Sequence, residues 1–189
     1  MALLYVGLVL GLLIVLLVVF RNLWFAHMLN SMIDTFNRLM GARKQRLFEG
    51  LNQLKAKRGD GRLVIVDLGC GPGGNFQFYP PGTEVICVDP NSHYEPMVRN
   101  NVRKFPDVRV SQFHVGVAEN LRDLIEADSV DAVVVTAVLC SVQDVARSLQ
   151  EIIHVLKPVS RLGLGLGLYT PWAIKKTCPF YFFDNSGKY

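Results

Sequence analysis

Val64-Ile65-Val66-Asp67-Leu68-Gly69-Cys70-Gly71-Pro72-Gly73-Gly74 is the stretch from which the fold is read. A β-branched apolar run of the kind that favours a strand enters a turn holding four glycines. Glycine lets the backbone turn sharply without a Cβ clash, and lets a ligand approach the main chain closely. The spacing Asp67-x-Gly69-x-Gly71-x-Gly73 departs from the G-x-G-x-x-G of dinucleotide sites and lacks the Lys-Ser/Thr of a phosphate loop. A glycine turn alone is a weak signal, so the reading rests on what lies at fixed distances from it.

Downstream, strand and helix patterns alternate. Leu63 to Leu68 reads as a strand, and a short helix over Asn75 to Tyr79 is stopped by Pro80-Pro81-Gly82. Strands follow at Glu84 to Val88, Val108 to His114 and Val130 to Thr136, with helices at Tyr94 to Lys104, Ala118 to Ala127 and Val142 to Leu156. This alternation predicts an α/β fold with a doubly wound, mostly parallel sheet and ligands at the carboxyl ends of its strands.

Upstream, the chain changes character. Of 189 residues, the first 20 carry no charge, and Leu3 to Phe20 is almost continuously aliphatic. About 20 apolar residues in a helix span a bilayer core, so residues 1–21 read as a membrane anchor. A cleaved signal peptide wants a basic start and small residues before the cut. Here no Lys or Arg precedes Arg21. Residues 22–61 read as a basic, amphipathic linker helix, with Phe36, Leu39, Met40, Leu47, Leu51 and Leu54 at helical spacings.

Residues 21–62 hold nine Lys/Arg against three acids, whereas the whole chain is only +4. A basic excess just after a span predicts a domain facing the cytosol and contact with membrane lipid. No aromatic–basic platform accompanies it, so nucleic acid is not an expected partner. Cys70, Cys87, Cys140 and Cys178 show neither C-x-x-C spacing nor paired histidines, which predicts reduced thiols and no metal site.

Two acids mark the expected site. Asp67 closes the first strand, where a carboxylate can hold the glycine loop or meet a cation. Asp89 closes the second strand, 22 residues later, where an acid can accept hydrogen bonds from both hydroxyls of a ribose. Asp89-Pro90-Asn91 is also a good turn sequence, which leaves a purely structural role open. No strong general base stands out, and the catalytic residue is unassigned.

The glycine turn resembles motif I of the class I S-adenosylmethionine-dependent methyltransferases, a Rossmann-like family. The resemblance narrows to the membrane-anchored alkyl-thiol methyltransferase-like branch on Lys44-Gln45-Arg46-Leu47-Phe48, Asp67-Leu68-Gly69-Cys70-Gly71 and Asn75-Phe76-Gln77-Phe78-Tyr79-Pro80-Pro81-Gly82. Val88-Asp89-Pro90-Asn91 and Val138-Leu139-Cys140-Ser141-Val142 extend it, and it covers residues 1 to about 158. It implies S-adenosyl-L-methionine as cofactor, held by Asp67, Gly69, Gly71, Gly73, Asp89, Ala118 and Glu119 within residues 62–158. Ala118-Glu119 would lie beside the adenine, although a helix-start glutamate explains Glu119 as well. The resemblance further implies a small thiol acceptor and residence at the endoplasmic reticulum or lipid droplet membrane.

After Pro158 the resemblance stops. The Leu-Gly alternation of Leu162 to Tyr169 reads as a poor edge strand, and residues 159–189 form a divergent tail. A sheet incomplete at its C-terminal edge is the expectation, and a catalytically inactive membrane-anchored relative is the alternative to an enzyme.

Overall fold

The computed structural model describes residues 2–57, 61–158 and 180–183. Four parallel strands, β1 (Leu63–Leu68), β2 (Thr83–Asp89), β3 (Val108–Val115) and β4 (Ala132–Thr136), form the sheet. A fifth, β5 (Phe180–Phe183), runs antiparallel to β4, giving the order β3-β2-β1-β4-β5. Successive strands step outward from β1 to β3, and β4 then returns to the other side of β1. That reversal makes a crevice at the carboxyl ends of β1 and β4, where open α/β sheets place their ligands.

Strand side chains alternate between two buried faces, the period of two expected of a pleated strand. Val66, Leu68, Ile86, Val88, Val133 and Val135 pack on one side with Leu121, Ile152 and Val155. Leu63, Ile65, Val85, Cys87, Ala132 and Val134 pack on the other with Phe48, Leu51 and Val98. Burial on both faces explains why these strands read as unbroken apolar runs.

The six helices expected from the sequence resolve into four α-helices and short 3-10 segments: α1 (Ala2–Val19), α2 (Arg21–Lys57), α3 (Tyr94–Asn101) and α4 (Val145–Val155). The helix expected over Ala118 to Ala127 is a 3-10 segment, Ala118–Asp123, broken where Asn120 leaves helical backbone at φ −134°, ψ 33°. The one expected after the glycine turn shrinks to Phe76–Phe78. Instead Phe48 and Leu51 of α2, from the far side of the sequence, fill that face of the sheet.

The α4 helix starts at its cap and not at Val142, because the Asp144 carboxylate accepts the Arg147 amide hydrogen at 3.0 Å. Asp144→Ala is expected to cost about 1 kcal/mol. A lowered urea midpoint at unchanged slope is the measurement that checks it.

The expected N-terminal membrane helix is not supported by any one helix. Among the described residues, none alone is long and apolar enough to cross a membrane; Tyr5–Val19 and Arg21–Ala56 qualify only together, across a 68° bend. The expected gap at the sheet edge is also revised, since β5 lies along β4. The Leu-Gly run of Leu162 to Tyr169 falls outside the described residues. Cys70 and Cys87 are buried and free as expected, whereas Cys140 is disulfide-bonded.

Candidate cofactor site

The glycine turn leaves β1 and is fixed at once to β2: the Gly69 amide donates to the Val88 carbonyl at 2.7 Å. Gly69, Gly71 and Gly73 all take positive φ, at +65°, +52° and +90°. They differ in what surrounds them. A Cβ on Gly69 meets Val138 Cγ2 at 2.1 Å, and one on Gly73 meets the Phe76 ring at 2.1 Å. Beside Gly71 there is nothing within 4 Å. Two glycines therefore make room for the protein's own side chains, and one opens onto space.

Asp89 sits at the end of β2, 6 % exposed. Its Oδ2 accepts the Gly71 amide at 3.0 Å, and its Oδ1 accepts the Asn91 amide at 2.9 Å. Burial raises its pKa, and the two amide hydrogen bonds oppose that shift. Both of its expected roles are thus compatible: the carboxylate shapes the turn, and each oxygen keeps a lone pair for a further donor.

Asp67 is fully buried behind the loop. Asn75 donates its amide to both Asp67 oxygens, at 3.1 and 3.3 Å, and to Thr136 Oγ1 at 3.0 Å. Asn75 Oδ1 in turn accepts from Lys44 Nζ at 2.9 Å. Lys44, on α2, also reaches Asn37 Oδ1 at 2.9 Å, and its ammonium lies 5.4 Å from the centre of the Phe78 ring. A buried acid and a buried base are so joined through one asparagine, across the first strand of the sheet.

Burial pushes the Asp67 carboxyl up from 3.8 to about 6, with the Asn75 bond and the Lys44 charge pulling the other way. Burial likewise lowers Lys44 from 10.5 to about 8, against the pull of Asp67. Between pH 3.8 and about 6 the folded chain binds more protons at Asp67 than the unfolded one, so this group's contribution to stability falls as pH rises. At Lys44 the unfolded chain binds more protons between about 8 and 10.5, so its contribution rises with pH there. Asp67→Asn is expected to flatten the first slope, read as urea midpoints between pH 4 and 6. A midpoint difference that stays constant over that range rules the buried carboxylate out as its source.

A cleft of about 410 Å³ opens beside the loop, lined by Gly69, Pro90, Ala118, Glu119, Val138 and Ser141 among others. That volume falls in the range of small-molecule sites, roughly 300–1,000 Å³. Of the expected residues, Gly69, Ala118 and Glu119 line it, while Asp67, Gly71, Gly73 and Asp89 do not. Gly71 and Gly73 belong to the turn itself, Asp89 bonds the Gly71 amide, and Asp67 is buried behind the turn. Glu119 is committed: its Oε1 accepts the amides of Gln143 and Asp144 at 2.6 and 3.2 Å, at the start of α4. The acid serves a helix start, as one reading had it, but the helix is α4 and not its own segment.

The sequence reading missed several residues. Lys44 and Asn75 stand in segments that carry the family resemblance, but neither is singled out there as a site residue. Arg147, whose guanidinium donates to the Glu119 carbonyl at 2.9 Å and to Asn120 Oδ1 at 2.8 Å, had no local signal at all. Ala137, directly after β4, holds φ +58°, a left-handed conformation rare outside glycine. It precedes Val138, the residue that packs on Gly69. Backbone strain of this kind gathers at ligand sites.

The arrangement fits S-adenosylmethionine on its own geometry. Gly71 presents an open backbone, Asp89 stands beside it as a twofold acceptor, and the cleft has the volume for a nucleoside. No metal-binding cluster of His, Cys, Asp or Glu occurs among the described residues.

Comparison with known proteins agrees. Residues 66–164 match the family described as methyltransferase domain. The human thiol S-methyltransferase TMT1B is 39 % identical over 136 residues, covering 71 % of this chain and 54 % of that protein. The human thiol S-methyltransferase TMT1A is 36 % identical over 135 residues, with the same coverage of each. The chain thus spans about half the length of the curated relatives it matches. Among solved structures, the arsenic(III) S-adenosylmethionine methyltransferase of Chlamydomonas reinhardtii is 26 % identical, over 51 % of this chain and 36 % of that one, at a TM-score of 0.44.

Proposed function

Because this chain belongs to the class I S-adenosylmethionine-dependent methyltransferases, we propose that it methylates the sulfur of small alkyl thiols at a membrane surface. The observation that carries the enzymatic part is the Gly71–Asp89 hydrogen bond of 3.0 Å, in a loop and strand end whose neighbours Gly69 and Pro90 line the cleft. The thiol acceptor is supported by the similarity to two thiol S-methyltransferases over 71 % of the chain.

In this reading Asp89 accepts the ribose hydroxyls, Gly71 opens the backbone to the methionine part, Gly69 and Gly73 hold the turn that presents it, and Ala118 lies along the adenine. When bound, S-adenosylmethionine would supply an electrophilic sulfonium methyl group; its transfer would form the acceptor S–CH3 bond as the sulfonium S–CH3 bond breaks, with S-adenosylhomocysteine as leaving group and the thiol proton lost to solvent. Even a cysteine thiol ionises only at about 8.5 and a simple alkyl thiol is a weaker acid, so the acceptor would react through a minor thiolate fraction at neutral pH. The chain's main contribution is then to hold two reactants in line, which is worth several orders of magnitude in rate. The Asp67–Asn75–Lys44 network keeps the loop in one shape while this happens.

The membrane part rests on the sequence of α1 and on the basic excess of α2. The anchor would hold the domain on the cytosolic face of the endoplasmic reticulum or of lipid droplets, with lipid as a partner beside the thiol. Cosedimentation of the full chain with phospholipid vesicles, lost on deleting residues 1–20, tests the anchor. For the chemistry, the full chain is incubated with methyl-deuterated S-adenosylmethionine and a small alkyl thiol, and the thioether is followed by mass spectrometry. Labelled thioether that Asp89→Ala fails to make supports the enzyme. Binding of S-adenosylhomocysteine with no thioether from any alkyl thiol removes it, and leaves an inactive anchored relative.

A further inference from the structure

The α2 helix presents two faces of opposite chemistry. Asn22, Asn30, Asn37 and Lys44 recur at steps of seven or eight residues, in line with buried Phe48 and Leu51. Each polar member of this inward stripe meets a segment of the cofactor site. Asn91 donates its amide to the Asn22 carbonyl at 2.9 Å, and Asn101 donates to Asn30 Oδ1 at 2.7 Å and to the Pro72 carbonyl at 2.9 Å. Asn37 donates to the Gly74 carbonyl at 2.9 Å, and Lys44 to Asn75.

The outward face is apolar. Trp24, Phe25, Met28, Met32, Phe36 and Leu39 are each between 45 % and 77 % exposed. At about 100° per residue they fall within roughly 120° of arc, most of it turned away from the inward stripe, with Phe36 at its edge 5.5 Å from the Lys44 ammonium. Arg21 before this patch and Arg43 and Arg46 after it lie on the same arc, while Asp34 and Glu49 lie off it. Monomeric proteins rarely leave so continuous an apolar strip in water.

We propose that the outward face of α2 rests on an anionic bilayer surface, so that one helix touches lipid on one side and the cofactor loops on the other. This deepens the membrane part of the proposed function and rests on it. Two observations select a bilayer over a protein groove. The apolar surface runs on into α1, where every large apolar side chain from Tyr5 to Phe20 is at least 40 % exposed, around the whole helix. A helix apolar on all sides suits hydrocarbon, not a one-sided groove. Furthermore, the 68° bend between the two helices turns α2 most of the way into the plane of a bilayer that α1 enters. The arginines at both ends then meet anionic headgroups, as in interfacial helices.

The test uses the full chain with Trp24→Phe and Trp172→Phe, and Leu39→Trp as the single fluorescent reporter at the centre of the face. A parallel chain carries Gln45→Trp in its place, off the apolar arc. Vesicles of phosphatidylcholine and phosphatidylserine contain lipids brominated near the headgroup end of the acyl chains. Quenching of Leu39→Trp by roughly threefold or more is expected, with little at Gln45→Trp, since interfacial helices sink about 5–10 Å. Adding Arg43→Glu and Arg46→Glu should abolish most of that quenching. Unquenched Leu39→Trp in a chain that still sediments with the vesicles overturns the proposal and leaves the anchor standing. So does a dimer in sedimentation velocity whose Leu39→Trp is shielded without lipid, because the face then meets a second copy. A chain that does not sediment with vesicles removes both the anchor and this proposal.

Discussion

Gly69→Ala is expected to destabilise the chain by about 2–4 kcal/mol, whereas Gly71→Ala costs about 1 kcal/mol and acts instead on ligand binding. Both positions hold positive φ, +65° and +52°, so both bear the left-handed penalty of an L side chain. Only at Gly69 does the new Cβ collide, 2.1 Å from Val138 Cγ2. Val138 follows the strained Ala137 and leans on the loop, so relief requires moving the end of β4 as well. Val138→Ala in the Gly69→Ala background should recover most of the excess, leaving the backbone penalty of roughly 1 kcal/mol. At Gly71 the added methyl enters open space. It meets only what binds there, so the urea midpoint falls by the backbone penalty alone while affinity for S-adenosylhomocysteine drops. Equal stability losses at both positions would show that the two glycines do the same work, contrary to the geometry.

Asp89→Ala is expected to weaken S-adenosylhomocysteine binding by roughly 100-fold to 10,000-fold, because two charge-assisted hydrogen bonds are worth roughly 1.5–3 kcal/mol each. The same change frees the amides of Gly71 and Asn91, which loosens the loop that the ligand must meet. Asp89→Asn keeps one acceptor oxygen and should lose about tenfold. Thermal unfolding separates these effects from global damage. S-adenosylhomocysteine at a fixed excess raises the Tm of the parent by mass action, and raises that of Asp89→Ala by far less. A ligand-induced shift of the same size in both chains would place the ribose elsewhere.

The parallel sheet was legible because its strands are short β-branched runs, and β1, β2 and β4 fall within a few residues of the expected bounds. Their burial on both faces erased alternation yet strengthened the apolar signal. Asp89 was legible from its distance to Asp67, since the strand–loop–strand unit fixes that spacing. The segment after Val117 was not, because Asn120 breaks a pattern that propensity alone runs through to Ala127. Lys44 and Asn75 escaped for a different reason. Their partners lie 31 residues apart in the chain, and nothing local announces a buried ammonium that bonds an amide. Likewise, the asparagines of α2 look like scattered polar residues until the helix is laid against the loops at Pro72 and Gly74. Glu119 shows the limit of motif reasoning: a place beside the adenine is what the resemblance implies, while its Oε1 accepts two amides at the start of α4.

Whether the glycine loop and Asp89 form a cofactor cradle is settled most directly by isothermal titration of S-adenosylhomocysteine into the unaltered full chain. One saturable site per chain with a dissociation constant on the order of micromolar, or about −8 kcal/mol, is the expected result. The absence of any saturable heat, in a chain whose cooperative unfolding proves it folded, would contradict it.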